Sequence, residues 1–310
     1  MSAASNADDG YGATATPDWR EVDWRGHLHR VHVGGHRVNY VDYGSGEGPP
    51  VLLIHGLAGC WQNWLETIPR LGQERRVLAP DLPGFGYSDM PVDGITVPGY
   101  GRYLRAFWEK LDLGPAVIVG NSMGGFVAAE LAIQFPEVCD RLVLVAAAGI
   151  SITSLRKRPT LTGARVFAAM ASRTVAQSER VVRRPRLRHM ALQLVARHPT
   201  RLKPDLVHEL IQGGGKPGFL PAMEALLSYD FRDRLPEIRC PTLIVWGEHD
   251  MLVPVEDAHE FERRVAGARK VVLDDTGHIP MVERPVAFND CLLDFIGESS
   301  GVTSPEREAA

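Results

Sequence analysis

The chain has 310 residues, 45% of them hydrophobic and 23% charged, with a formal net charge of −4. That composition excludes a disordered, collagenous or coiled-coil protein, gives no overall positive charge for nucleic acid, and holds no apolar run near the roughly 18 residues of a membrane span. A chain this long buries roughly three quarters of its unfolded surface, so its core needs no metal or disulfide staple.

Residues 1–18 are small and polar, with no basic start followed by an apolar stretch, so they read as a disordered arm and not as a secretory signal. Residues 297–310 read as a matching disordered tail. Cys60, Cys139, Cys240 and Cys291 are scattered without a CxxC pair, which points to reduced thiols in the cytoplasm and to no metal site. From residue 28 the pattern becomes regular. Leu28–Val33 and Val38–Tyr43 read as strands joined by a turn at Gly34-Gly35. Short continuous apolar runs at Val51–Ile54, Val77–Ala79, Ala116–Val119, Leu142–Val145, Leu243–Val245 and Val271–Leu273 read as further strands, most of them buried on both faces. Helical patterns at Val97–Leu111, Met123–Gln134, Val255–Val265 and Val286–Phe295 alternate with them. The fold class is therefore α/β, a mostly parallel central sheet covered by helices.

Residues 150–235 break the alternation. They hold no buried strand pattern and several helical ones, punctuated by Pro159, Pro185, Pro199 and Pro204. A segment this long reads as an inserted helical subdomain, a cap on a core made of residues 19–149 and 236–296. Between Ser151 and Asp205 it carries thirteen Lys or Arg against two acids.

Gly120-Asn121-Ser122-Met123-Gly124 fits G-x-S-x-G, directly after the apolar run AVIV and before a helix. A strand turning sharply into a helix strains its central residue and pushes that side chain outward, which marks Ser122 as a nucleophile. A serine hydroxyl needs a base. His278, after the last strand and before the final helix, projects from the same sheet edge. Asp250, just after the strand LIV, is placed to orient it, and the order Ser…Asp…His suits this architecture. Asp274 and Asp275 read as solvated turn residues, and Glu248 and His249 as loop-shaping. The oxyanion donors expected are the N–H groups of Met123 and of Leu57, with Ala58 as fallback. His55 reads as support for that second loop.

These residues resemble the α/β-hydrolase superfamily with a helical cap. The resemblance spans residues 28–296 through His55-Gly56, Asp81-Leu82-Pro83-Gly84-Phe85-Gly86-Tyr87-Ser88, the serine turn, Trp246-Gly247-Glu248-His249-Asp250 and Gly277-His278. It implies a cofactor-free serine hydrolase acting on a small-molecule ester or ketone. The Gly120–Gly125 stretch is similar to the corresponding turn of meta-cleavage-product hydrolases, which break C–C bonds. Those relatives carry Trp after the histidine, where Ile279 stands here, so the resemblance favours ester hydrolysis. A low-turnover ligand receptor is the non-enzymatic alternative. By the same resemblance Arg184 or Arg188 is a candidate for binding an acid group in the cleft. Trp61, Phe167, Met170 and Ile279 are the remaining pocket candidates. The basic cap reads first as solvated helix faces, and contact with a membrane surface as the weaker alternative. His27, His29, His32 and His36 alternate wrongly along a strand to share one metal ion.

Overall fold

The computed structural model describes residues 10–155 and 157–298. Eight strands form one sheet: β1 (Leu28–Val33), β2 (His36–Tyr43), β3 (Val51–Ile54), β4 (Val77–Pro80), β5 (Ala116–Asn121), β6 (Cys139–Val145), β7 (Thr242–Gly247) and β8 (Arg269–Leu273). Their spatial order is β1-β2-β4-β3-β5-β6-β7-β8. The two edge pairings β1–β2 and β2–β4 are antiparallel and the rest parallel. The first hairpin closes through Gly34 and Gly35 at φ +56° and +83°, the paired positive values that match the natural twist of two strands. Strands β3, β4, β5 and β7 are buried along their whole length, as expected of strands covered on both faces.

The helices are α1 (Ile68–Leu71), α2 (Val97–Lys110), α3 (Met123–Gln134), α4 (Lys157–Ala176), α5 (Ser178–Arg183), α6 (Pro185–Leu192), α7 (Pro204–Ile211), α8 (Phe219–Ser228), α9 (Val255–Arg264), α10 (Pro280–Glu283) and α11 (Pro285–Gly297). Helix α3 is buried from Met123 to Ile133 and is apolar apart from Glu130, whose carboxylate accepts from Arg234 and the Tyr229 hydroxyl. Helices α4 to α8 occupy the stretch between β6 and β7, where the described residues contain no strand. Among the described residues no helix is long and apolar enough to cross a membrane. Cys139 and Cys240, 101 positions apart, bring their sulfurs within 3.3 Å as thiols.

The order of strands places the site. From β3 the chain steps to β4 on one side and then returns to β5 on the other. At such a reversal the loops leaving two adjacent carboxyl ends diverge and open a crevice. The loop after β3 and the serine turn after β5 therefore flank the same crevice.

The expectation of a disordered arm fails for residues 10–18; residues 1–9 lie outside the described set. Tyr11, Ala15 and Trp19 are buried. The Ala15 N–H and the Trp19 indole N–H donate to the two oxygens of buried Glu66, at 2.7 and 3.0 Å. The Tyr11 hydroxyl donates to Glu283 at 2.6 Å, and the guanidinium groups of Arg201 and Arg284 lie 4.8 and 5.1 Å from its ring centre. Small polar residues suggested disorder, but two aromatic anchors and two buried carboxylates fix the segment. At the other end Glu298 meets Arg269 at 2.7 Å, and the rest of the expected tail, 299–310, lies outside the described residues. Trp19→Ala should lower the unfolding free energy by about 3 kcal/mol, read from denaturant midpoints, because it removes a buried indole and one donor to Glu66. An unchanged midpoint would mean the arm contributes nothing.

Candidate active site

Ser122 sits between β5 and α3 at φ +57° and ψ −118°, a region that non-glycine residues avoid at a penalty of about 1–3 kcal/mol. Four backbone hydrogen bonds hold it there. Its N–H donates to Val145 O at 2.9 Å, and its carbonyl accepts from Gly125, Phe126 and Ala148 at 3.0, 3.1 and 3.0 Å. Close packing adds to this: a Cβ on Gly124 would lie 2.2 Å from the Ile54 carbonyl oxygen, so only glycine lets α3 start against β3. Ser122 remains partly exposed while its neighbours on both sides are buried.

Asp250 and His278 meet as a pair. His278 Nδ1 lies 2.7 Å from Asp250 Oδ2, and the aspartate side chain is fully buried. The other carboxylate oxygen accepts from the Leu252 and Val253 N–H groups at 2.8 and 2.9 Å, which fixes its direction. The histidine reaches the serine turn through the backbone: Asn121 Nδ2 donates to the His278 carbonyl at 3.2 Å. Among the described residues no hydrogen bond joins the Ser122 hydroxyl to the imidazole, and His278 Nε2 has no partner.

The loop after β3 has its own lock. His55 Nε2 accepts from the Leu82 N–H at 2.9 Å, so the ring proton is on Nδ1, which donates to the Gly56 carbonyl at 2.8 Å. The same carbonyl accepts from Gly59 N–H at 3.0 Å. In a trans peptide the N–H points opposite the C=O, so the Leu57 N–H is turned away from His55. Gly56 backs on the serine turn: a Cβ there would be 3.2 Å from that of Ser122. Neither Leu57 N–H nor Met123 N–H has an acceptor among the described residues. The Met123 N–H heads α3 at its positive end, and the Leu57 N–H follows Gly56, the residue packed against Ser122.

Sequence reasoning missed the brace behind His278. Glu283 is completely buried, and its carboxylate accepts from Gly277 N–H at 3.0 Å, Ile279 N–H at 3.2 Å, Arg197 N–H at 2.7 Å and the Tyr11 hydroxyl. The remaining N–H of the run, that of His278, donates to Val195 O at 3.0 Å. Burial pushes the Glu283 carboxyl above its usual range, against the opposing pull of these donors. Asp81, also buried, plays the same part for the opposite wall, accepting from Trp61 N–H, Asn39 Nδ2 and Tyr87 N–H at 2.9, 2.8 and 2.9 Å. A signal for Glu283 was present: a lone acid after Pro280-Met281-Val282, at the end of a short apolar turn.

The expected pocket needs correction. The Trp61 ring is buried against Trp24, with ring centres 5.0 Å apart, because its N–H is tied down to Asp81. Arg188 is buried and donates to the carbonyls of Val182 and Thr200, so its guanidinium serves the cap's own backbone. Arg184 and Met170 are exposed, Ile279 is half-buried, and the Phe167 side chain lies outside the described residues. A cavity of about 450 Å³ opens between the core loops and the cap, lined by Gln62, Tyr87, Ser172, Glu209, Gln212 and Lys216 among others. Neither the expected pocket residues nor Ser122, Asp250 and His278 line it, so this cavity is not the crevice at Ser122. Asp275, read as a solvated turn residue, is engaged: it meets His198 at 2.8 Å and Arg197 at 3.2 Å. Glu248 and His249 do shape the loop, the His249 N–H donating to Thr276 O at 2.8 Å and Glu248 accepting from Asp275 N–H at 3.3 Å.

Burial holds the His55 imidazole below its ordinary value, although Asp81 nearby and the bond to Gly56 pull the other way. Below about pH 6.5 the unfolded chain therefore takes up a proton at this residue that the folded chain refuses. Its contribution is complete above that pH and falls as pH drops, by up to about 1.4 kcal/mol per pH unit, until the folded-state value is reached. His55→Gln should flatten the loss of urea stability between about pH 7.5 and 5.5. Parallel slopes for the two proteins would refute this.

A family model described as alpha/beta hydrolase fold matches residues 49–285. The chain is 29% identical to 2-hydroxymuconate semialdehyde hydrolase of Pseudomonas sp. (strain CF600), over 87% of this chain and 93% of that one. It is 30% identical to 2-hydroxy-6-oxo-6-phenylhexa-2,4-dienoate hydrolase of Comamonas testosteroni, over 81% and 89%. The solved structure of a thermophilic esterase from Thermogutta terrifontis superposes with a TM-score of 0.68 at 25% identity, covering 86% of this chain and 98% of that one. Strand order, the serine turn and these likenesses agree: the chain belongs to the alpha/beta hydrolase fold family.

Proposed function

We propose that the protein is a serine hydrolase cleaving carboxylic esters through an acyl-enzyme. The observation that carries this reading is Ser122 at φ +57° at the head of α3, with the Met123 N–H and the Leu57 N–H of the adjoining loop both without an acceptor among the described residues. Ser122 Oγ attacks the ester carbonyl carbon while His278 Nε2 takes the hydroxyl proton, and Asp250 holds the ring through Nδ1. The Leu57 and Met123 N–H groups stabilise the developing oxyanion. Collapse expels the alcohol, protonated by His278; water then adds to the acyl-enzyme, His278 accepting its proton, and Ser122 is released with the acid. The absence of a Ser122–His278 hydrogen bond is consistent with this, since such contacts commonly tighten only around bound substrate.

The likeness to two dienoate-type hydrolases favours a second reading, hydrolysis of a C–C bond in a ring-fission ketone by the same three side chains. The cap favours the ester: Arg188, the buried arginine considered for an acid group, is already bonded to backbone carbonyls. Turnover of p-nitrophenyl esters of graded chain length, set beside a 2-hydroxy-6-oxo-dienoate, separates the two. Ester turnover with none of the dienoate supports the proposal, and the reverse overturns it. Asp250→Asn should cut kcat by about 10⁴-fold. Near-normal turnover in that variant would move the acid elsewhere.

Glu283 acts here as a positioning residue. Glu283→Gln turns an NH₂ group toward N–H donors on both sides of His278, so kcat should fall by roughly tenfold with KM little changed. Tyr11→Phe, which leaves those two peptide contacts intact, should lose far less. A KM effect alone, or equal losses in both variants, would contradict that role.

A further inference from the structure

Charge in this molecule is distributed unevenly. The net charge is −4, yet residues 151–205 carry thirteen basic side chains and two acidic ones, which leaves the remainder strongly negative. Elsewhere on the surface, arginines sit on carboxylates: Arg37 on Asp89, Arg70 on Glu74, Arg76 on Asp42, Arg232 on Asp230. In the cap, Arg165 on α4, Arg180 and Arg183 on α5 and Arg186 on α6 are exposed and have no carboxylate partner among the described residues. Large apolar side chains are exposed on or beside the same helices: Val166 on α4 at 59%, Met190 on α6 at 67%, and Leu194 just beyond it at 49%.

We infer that the α4–α6 surface of the cap docks on an anionic lipid surface. Basic residues interspersed with exposed apolar side chains are what an interfacial helix needs, the first attracted to headgroups and the second inserted among acyl chains. Basic residues are attracted to an anionic leaflet and the negative remainder of the molecule is repelled, so the cap turns toward the bilayer. A polynucleotide would satisfy the arginines but offers no environment for Val166, Met190 and Leu194. Docking does not depend on the hydrolytic reading, since the binding is measured without turnover.

The test is co-sedimentation of the full chain with vesicles of phosphatidylcholine alone and of phosphatidylcholine mixed with phosphatidylglycerol. Binding should be confined to the mixed vesicles and weaken at high salt. Reversing charge at Arg180, Arg183 and Arg186 together should lower partitioning about a hundredfold. Met190→Ser should weaken binding while leaving its salt dependence. Circular dichroism matching the parent shows that each variant is folded. Equal sedimentation with both vesicle types, undiminished binding of the triple variant, or binding to a duplex oligonucleotide but to neither vesicle would overturn the inference.

Discussion

One residue held in an unfavourable backbone conformation organises the site. Ser122 keeps its positive φ because four backbone hydrogen bonds from β6, α3 and the segment after β6 converge on its own N–H and carbonyl. That turn leaves the Met123 N–H at the head of α3 without an intrahelical acceptor. It also puts Asn121 where its amide reaches both the Val145 and His278 carbonyls, at 3.2 Å each. The strain is therefore stored where the sheet is most rigid, in a pair of strands buried along their length.

Around that point, functional loops are tied by buried acids that reach across the chain. Asp81 joins the segments at 39, 61 and 87, Glu283 joins 11, 197, 277 and 279, and Glu66 joins 15 and 19. A buried carboxylate left without donors is expensive, so each holds its segments in one arrangement. The arrangement matters most at His278. Its Nδ1 faces Asp250 while its peptide and both neighbouring peptides are bonded elsewhere, so the ring has little freedom to turn away.

Features written in local sequence were legible. Apolar runs of three or four residues marked the parallel strands, paired glycines the hairpin, and a glycine-flanked serine after a strand the strained turn, because each signal lies within a few residues of its consequence. The residues that went unread work across distance. Tyr11 and Glu283 are 272 positions apart, and Ala15 and Glu66 are 51 apart. Nothing in the spacing of a polar N-terminus reveals an acid waiting for it elsewhere. Arg188 shows the converse error: a cap arginine was read toward the cleft, whereas burial beside two carbonyls directs it inward.

The same accounting bears on what the cleft accepts. The Arg188 guanidinium ties the end of α5, at Val182, to the turn that holds Thr200 beyond α6, which directs two of its nitrogens at backbone carbonyls. The ammonium of Lys216, 5.1 Å from the centre of the Tyr87 ring, lines a separate cavity that does not include Ser122 or His278, so it does not supply a charge at the serine turn. The unpartnered positive charge of the cap is instead on its outer surface, at Arg165, Arg180, Arg183 and Arg186. If Ser122 acts as proposed, the Leu57 and Met123 N–H groups, which have no acceptor among the described residues, would meet a negative charge that exists only in the transition state.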